Sequence, residues 1–193
     1  MIAHIQGRLT EKTPTYVVID CGGVGYRIFI SLTTFTQLGA DESCKLLTHL
    51  TIRDDAHILY GFKEESERTL FRLLITVSGV GSSTALMILS SLSPDETRHA
   101  ILSNDINALK GVKGIGAKTA QRIVIDLKDK LSKVSLESDF SFGIDNTLKE
   151  EALSALVMLG FNKIQAEKSI AKILKASPEI TVEEVIKQVL KSI

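Results

Sequence analysis

A seven-residue pattern of residue types occurs twice in the middle of this chain. Gly79-Val80-Gly81-Ser82-Ser83-Thr84-Ala85 and Gly114-Ile115-Gly116-Ala117-Lys118-Thr119-Ala120 both read glycine, aliphatic, glycine, two variable residues, threonine, alanine. The first glycine can take the positive φ that stops a helix, and the second leaves the backbone open to close approach from outside. The following residues open an apolar-periodic run, so their N–H groups have no carbonyl partners and sit at the positive end of a helix dipole. A helix start of this kind binds a phosphate oxygen and reads no base. The candidate contacts are Gly79, Val80, Gly81, Ser82 and Ser83 in the first copy, and Gly114, Ile115, Gly116, Ala117, Lys118 and Thr119 in the second. Lys118 and Arg122 are four apart, share a helix face and would add charge beside the second turn. Two phosphate holders at a fixed separation suit a polynucleotide backbone.

Other patterns carry less chemistry. The stretch from Gly111 to Thr119 resembles a nucleotide-binding loop, but it has one residue too many before the lysine and no hydrophobic strand ahead of it. Nucleotide hydrolysis is therefore not expected. Gly23-Val24-Gly25 mimics the repeated motif but leads into strand alternation. Asp54-Asp55 lies between two β-type runs and reads as an exposed hairpin tip, too few carboxylates for a metal site. Cys21 and Cys44 lack metal spacing and read as reduced, buried thiols. The histidines at 4, 49, 57 and 99 form no ligand or triad pattern. No cofactor or catalytic residue is indicated.

The surrounding elements fall into three segments. Residues 1–64 hold β-type runs, among them Met1 to Gln6, Tyr16 to Asp20, Tyr26 to Ile30, Lys45 to Ile52 and His57 to Phe62. Five or six short strands in about 60 residues fit a small barrel of the OB type. Residues 65–131 read as helical, with a helix from Glu67 to Val77, a capping box at Ser93-Pro94-Asp95-Glu96 and a helix from Ala117 to Leu131. Residues 132–146 are rich in serine and acid without sustained periodicity, which predicts a flexible linker. Residues 147–193 predict a three-helix bundle, with caps at Thr147, Asn162 and Thr181 and a stop at Gly160. Val182, Val185, Ile186, Val189, Leu190 and Ile193 mark the apolar face of its last helix. The predicted class is thus α+β and multidomain.

Of the 193 residues, 44% are hydrophobic and 24% charged, which is ordinary for globular domains. No run has the length of a membrane span, and the first residues lack the basic and apolar regions of a signal peptide, so a cytoplasmic protein is expected. A formal net charge of zero conceals a gradient: −1 over residues 1–64, +3 over 65–133 and −2 over 134–193. The segment with the repeated turns is the basic one.

The order of parts resembles the RuvA family of Holliday-junction branch-migration proteins over essentially the whole length. The resemblance rests on Gly22-Gly23-Val24-Gly25-Tyr26, the run from Arg53 to Phe62, Glu67 to Phe71, Gly79-Val80-Gly81, Lys113 to Arg122 and Ala155 to Phe161. It implies a homotetramer, or an octamer of two tetramers, that holds a four-way junction open while tandem helix-hairpin-helix motifs grip phosphates. It implies that Asp54 and Asp55 are an acidic pin repelling phosphates at the crossover. It also implies that the tail recruits RuvB, a hexameric ATPase, through Leu156, Leu159, Phe161 and Leu190, with the RuvC resolvase a further partner. The family often has basic residues where Ser83 and Ala117 stand and a proline where Lys113 stands, which shifts the burden to backbone N–H groups, Lys118 and Arg122. Two other classes compete: a helix-hairpin-helix nuclease or glycosylase, which would need a convergent catalytic set, and an adaptor that uses the turns only for packing.

Overall fold

The computed structural model describes residues 2–39, 42–139, 144–176 and 180–192. Two compact units divide the chain, residues 1–132 and 133–193.

The first unit begins with five strands: β1 (His4–Lys12), β2 (Tyr16–Cys21), β3 (Val24–Ile30), β4 (Ser43–Ile52) and β5 (His57–Phe62). They close into a barrel in the order β1-β2-β3-β5-β4, with β3 and β5 parallel and the other neighbours antiparallel. Alternation of side chains across the pleat sends Val17, Ile19, Ile28, Ile30 and Leu46 into the interior, where each is almost fully buried. Closure removes the exposed sheet edges that would otherwise invite pairing with another chain.

A short helix that the sequence did not announce, α1 (Leu32–Gln37), follows β3. Ser31 caps it, its Oγ accepting from Thr34 N–H at 2.9 Å. The same hydroxyl donates to Glu67 Oε1, and Thr34 Oγ1 donates to Glu67 Oε2 at 2.6 Å. Glu67 is completely buried, and this desolvation holds its carboxyl above the usual range, with the two hydroxyl donors pulling the other way. Glu67 belongs to α2 (Glu65–Leu74), so one carboxylate pins α1 to the start of the helical region.

The helical region continues through α3 (Ser82–Ser91), α4 (Pro94–Leu102), α5 (Ile106–Lys110) and α6 (Ala117–Asp139). The capping box at Ser93 is formed: Glu96 N–H donates to Ser93 Oγ, and Ser93 N–H donates to the Glu96 carboxylate. One hydrophobic cluster runs from Tyr60 and Phe62 of the barrel through Phe71, Leu74, Ile88, Leu89 and Ile101 to Ile123 and Leu127. Barrel and helical region are therefore one body with a shared core, where the sequence suggested two segments.

The predicted linker needs correction. Helix α6 passes the expected end at Leu131 and reaches Asp139, and the next helix, α7 (Ile144–Met158), begins before the expected start. Residues 140–143 lie outside the described residues. Thr147 falls inside the first turn of α7 instead of capping it.

The second unit contains α7, α8 (Lys163–Ala176) and α9 (Val182–Ser192) around a core of Ala152, Leu156, Ala166, Ile170, Val185 and Val189. Gly160 ends α7 with φ of 92°. Its N–H donates to Val157 O and that of Phe161 to Leu156 O, both at 3.0 Å, the bonding pattern of a Schellman stop. Asn162 caps α8 through Ile164 N–H, and Thr181 accepts weakly from Glu184 N–H at 3.4 Å at the start of α9. Ile193 lies outside the described residues.

Candidate nucleic-acid interface

The two repeated turns share one bonding pattern. Val80 N–H donates to Val77 O, and Ile115 N–H donates to Val112 O, each at 3.0 Å. Gly79 and Gly114, one residue earlier in each turn, have φ of 90° and 88°. A side chain would be strained at either position, and the space where a Cβ would stand is empty there and at Gly81 and Gly116. The outer surface of both turns is thus bare backbone. The glycines do not themselves stop the preceding helices, as the sequence suggested. Helix α2 ends at Leu74 and α5 at Lys110, and tighter bonds such as Val77 N–H to Leu74 O and Val112 N–H to Leu109 O intervene before each glycine.

The next helix then starts in the same way in both copies. Ala85 N–H donates to Gly81 O at 2.9 Å and Ala120 N–H to Gly116 O at 3.0 Å. The N–H groups of Ser82, Ser83 and Thr84, and of Ala117, Lys118 and Thr119, precede the first intrahelical bond and have no helical acceptor. Each turn therefore offers several amide donors and a positive dipole end to one anion.

Side chains divide the expected contact residues. Val80 and Ile115 are buried in the shared core, so they anchor the turns and can offer a ligand only main chain. Ser82 is buried as well, its Oγ 3.3 Å from Thr51 Oγ1 of β4. Ser83, Ala117 and Lys118 are exposed, and Thr119 is half-buried. Arg122 is exposed but engaged: its Nη1 donates to Ser78 O and Ser78 Oγ, both at 3.1 Å. Ser78 was not among the residues picked from the sequence, because a serine before a glycine turn has no distinguishing spacing.

Asp54 and Asp55 occupy the β4–β5 tip, closed by Arg53 N–H donating to Ala56 O at 2.8 Å, and both are exposed. The contact of Thr51 with Ser82 places the strand leading to this tip against the start of α3. Acidic tip and first turn therefore belong to one compact unit, joined by this contact.

In the second unit, Leu156 requires a correction. It is fully buried, so it supports the tail core and presents nothing to a partner. Leu159 is 60% exposed and Leu190 45%, while Phe161 is half-buried. Met158 at 87% and Ile164 at 64% exposure flank the Gly160 turn and were missed by the sequence reading. Both are plainly apolar in the sequence, but which face of α7 and of α8 is turned outward was not legible there.

Among the described residues no group of three or more His, Cys, Asp or Glu side chains could hold a metal ion, and no helix is long and apolar enough to cross a membrane. Cys44 is buried and Cys21 half-buried, both as free thiols.

A closed OB-type barrel sharing a core with two equivalent glycine turns, each opening a helix, defines an OB-barrel protein of the tandem helix-hairpin-helix class. Family models match it in three successive stretches: RuvA N terminal domain over residues 1–61, SAM-like helix-hairpin-helix tandem over 71–129, and RuvA C-terminal domain over 147–193. The chain is 56% identical over 193 residues, the full length of both, to the Holliday junction branch migration complex subunit RuvA of Christiangramia forsetii. It is 52% identical over the full length of the protein of the same name from Flavobacterium psychrophilum, and 46% identical to that of Bacteroides fragilis over 99% of each chain. The chain belongs to the RuvA family.

Proposed function

We propose that this protein is the non-catalytic DNA-binding subunit of a branch-migration machine, binding four-way Holliday junctions independently of sequence. The observation that carries the reading is the pair of bare-backbone turns with the same bonding in one compact unit, each opening a helix. Backbone amides and Lys118 contact phosphates, which position a duplex without specifying bases. Asp54 and Asp55, projecting from the frame of the first turn, repel phosphate at the crossover and weaken binding to plain duplex. The protein works in the cytoplasm as a homotetramer, with an octamer as the larger assembly, so that several acidic tips meet at one junction.

The second unit recruits the hexameric RuvB ATPase through its exposed apolar residues. Leu159 and Leu190 carry over from the sequence reading, and Met158 and Ile164 join them around the Gly160 turn. RuvC is a further partner that resolves the junction. Residues 1–132 form the junction-binding part, and a chain ended near Leu136 binds junctions but fails to support RuvB-driven branch migration.

The deciding experiment is a gel shift of the full-length protein with a four-way junction and a linear duplex of equal length. Preference for the junction is expected, and Asp54→Asn with Asp55→Asn narrows that preference at low salt by strengthening duplex binding. Equal affinity for both DNAs in the unaltered protein would refute the junction reading.

A further inference from the structure

The turn of the first hairpin is held in place from the second. Arg122 lies on the second turn of α6, and the two hydrogens of its Nη1 reach Ser78 O and Ser78 Oγ, each at 3.1 Å. Two helical turns further along α6, Lys130 Nζ donates to Thr76 Oγ1 at 3.4 Å, a weaker tether to the same segment. Ser78 directly precedes Gly79, whose φ of 90° shapes the first phosphate-binding turn. Beneath these polar links, Val77 and Val80 of the first turn share a core with Ile115, Ile123 and Leu127 of the second hairpin. Polar contacts outside and apolar packing inside thus fix α6 against residues 76–80. Arginine suits the outer contact because one planar nitrogen offers two fixed donors, whereas an ammonium on a flexible stem does not hold a direction.

We propose that Arg122 is a positioning residue that sets the separation of the two phosphate-binding turns, and does not itself neutralise a phosphate. The proposal rests on the reading of those turns as phosphate holders. Phosphates along a strand have a set spacing, so the second contact forms at high effective concentration only when the two holders match that spacing. Loosening one turn weakens binding although no counterion-releasing contact is lost.

The test is a junction titration over a range of salt with the full-length chain and its Lys118→Ala, Arg122→Ala, Ser78→Ala and Ser78→Ala/Arg122→Ala variants. Lys118→Ala flattens the plot of log affinity against log salt by about 0.9, the signature of one lost phosphate contact. Arg122→Ala weakens binding about tenfold, within the range for a hydrogen bond to a charged group, with a slope change below half that of Lys118→Ala. Ser78→Ala, a mild change that keeps the carbonyl, weakens binding by a smaller factor, and the double variant is no weaker than Arg122→Ala alone. In the free protein, exchange of the Val80 amide, which donates to Val77 O, accelerates in Arg122→Ala and not in Lys118→Ala. A full slope loss of about 0.9 in Arg122→Ala, with additive effects of Ser78→Ala, would make Arg122 a phosphate ligand and overturn the proposal. Unchanged exchange at Val80 in Arg122→Ala would overturn it as well. Unaltered affinity and slope in Lys118→Ala would instead count against the phosphate-holder reading, and the exchange comparison would still decide the brace.

Discussion

In the first hairpin, Gly79 is followed by two serines, one of them buried against Thr51 of the barrel; in the second, Gly114 is followed by the exposed Ala117 and Lys118. Their backbones bend alike, with φ of 90° and 88° at the two glycines. Their surroundings differ. The first hairpin is fastened to the barrel at several points: Ser82 meets Thr51, Thr33 Oγ1 donates to Leu89 O at 2.7 Å, and Leu32 N–H donates to Ser90 Oγ at 3.1 Å. The second hairpin carries the lysine. Holding an anion by main-chain amides needs an exact backbone and no particular side chain. The two copies can therefore divide the work, the first being located by the barrel and the second supplying charge.

That contrast can be broken most severely at the barrel link. Glu67→Ala leaves the Ser31 and Thr34 hydroxyls without their buried acceptor and is expected to cost about 2–3 kcal/mol of stability, read as a lowered midpoint in urea. Glu67→Gln keeps the shape and costs less. Because burial raises the Glu67 carboxyl above its ordinary value of 4.5, the folded protein binds this proton more tightly than the unfolded chain. The stability it contributes is complete below the ordinary value and is lost as pH rises through the raised one. Glu67→Gln should remove that decline, so the two melting curves diverge across this window; parallel pH profiles would refute the assignment.

A smaller effect is expected from the turns themselves. Gly114→Val forces a β-branched residue to a φ of 88° and should lower stability by about 2 kcal/mol while weakening junction binding. Gly79→Val should do the same, since both backbones depend on the same conformation. A large difference between the two variants would show that the hairpins are not equivalent in backbone.

The side chains should separate the copies where the glycines do not. Lys118→Ala is expected to weaken junction binding by about 1 kcal/mol, roughly fivefold, and to make it less sensitive to salt. Ser83→Lys places a charge at the exposed position of the first turn and should strengthen binding a few-fold while steepening the salt dependence by about 0.9. If Ser83→Lys leaves the salt slope unchanged, the first turn does not face phosphate.

Several features were legible in the residues because they depend on local chemistry. The capping box at Ser93, the stop at Gly160 and the alternation of Val17, Ile19, Ile28 and Ile30 each follow from a few neighbouring side chains. Helix α1 was not legible: Leu32–Gln37 is short and rich in β-branched threonine, a poor helix former that Ser31 and the distant Glu67 hold in place. Residues 132–139 misled in the opposite direction. They lack an apolar period, but they also lack glycine and proline, so a helix already formed can extend through them without a new nucleus.

The sequence by itself determined the repeated turns, since positive φ at Gly79 and Gly114 is a property of glycine and the free amides that follow are a property of any helix start. It also determined where charge was available, at Lys118 and Arg122 and at Asp54 and Asp55. Only the tertiary structure decided how those charges are used. It engaged Arg122 with Ser78, 44 residues away, and set the strand leading to the acidic tip against Ser82. It buried Leu156 and left Met158 exposed, although both are apolar residues of one helix. Periodicity marks which residues share a face, but which face meets a core depends on packing partners distant in sequence, and no local pattern encodes that distance.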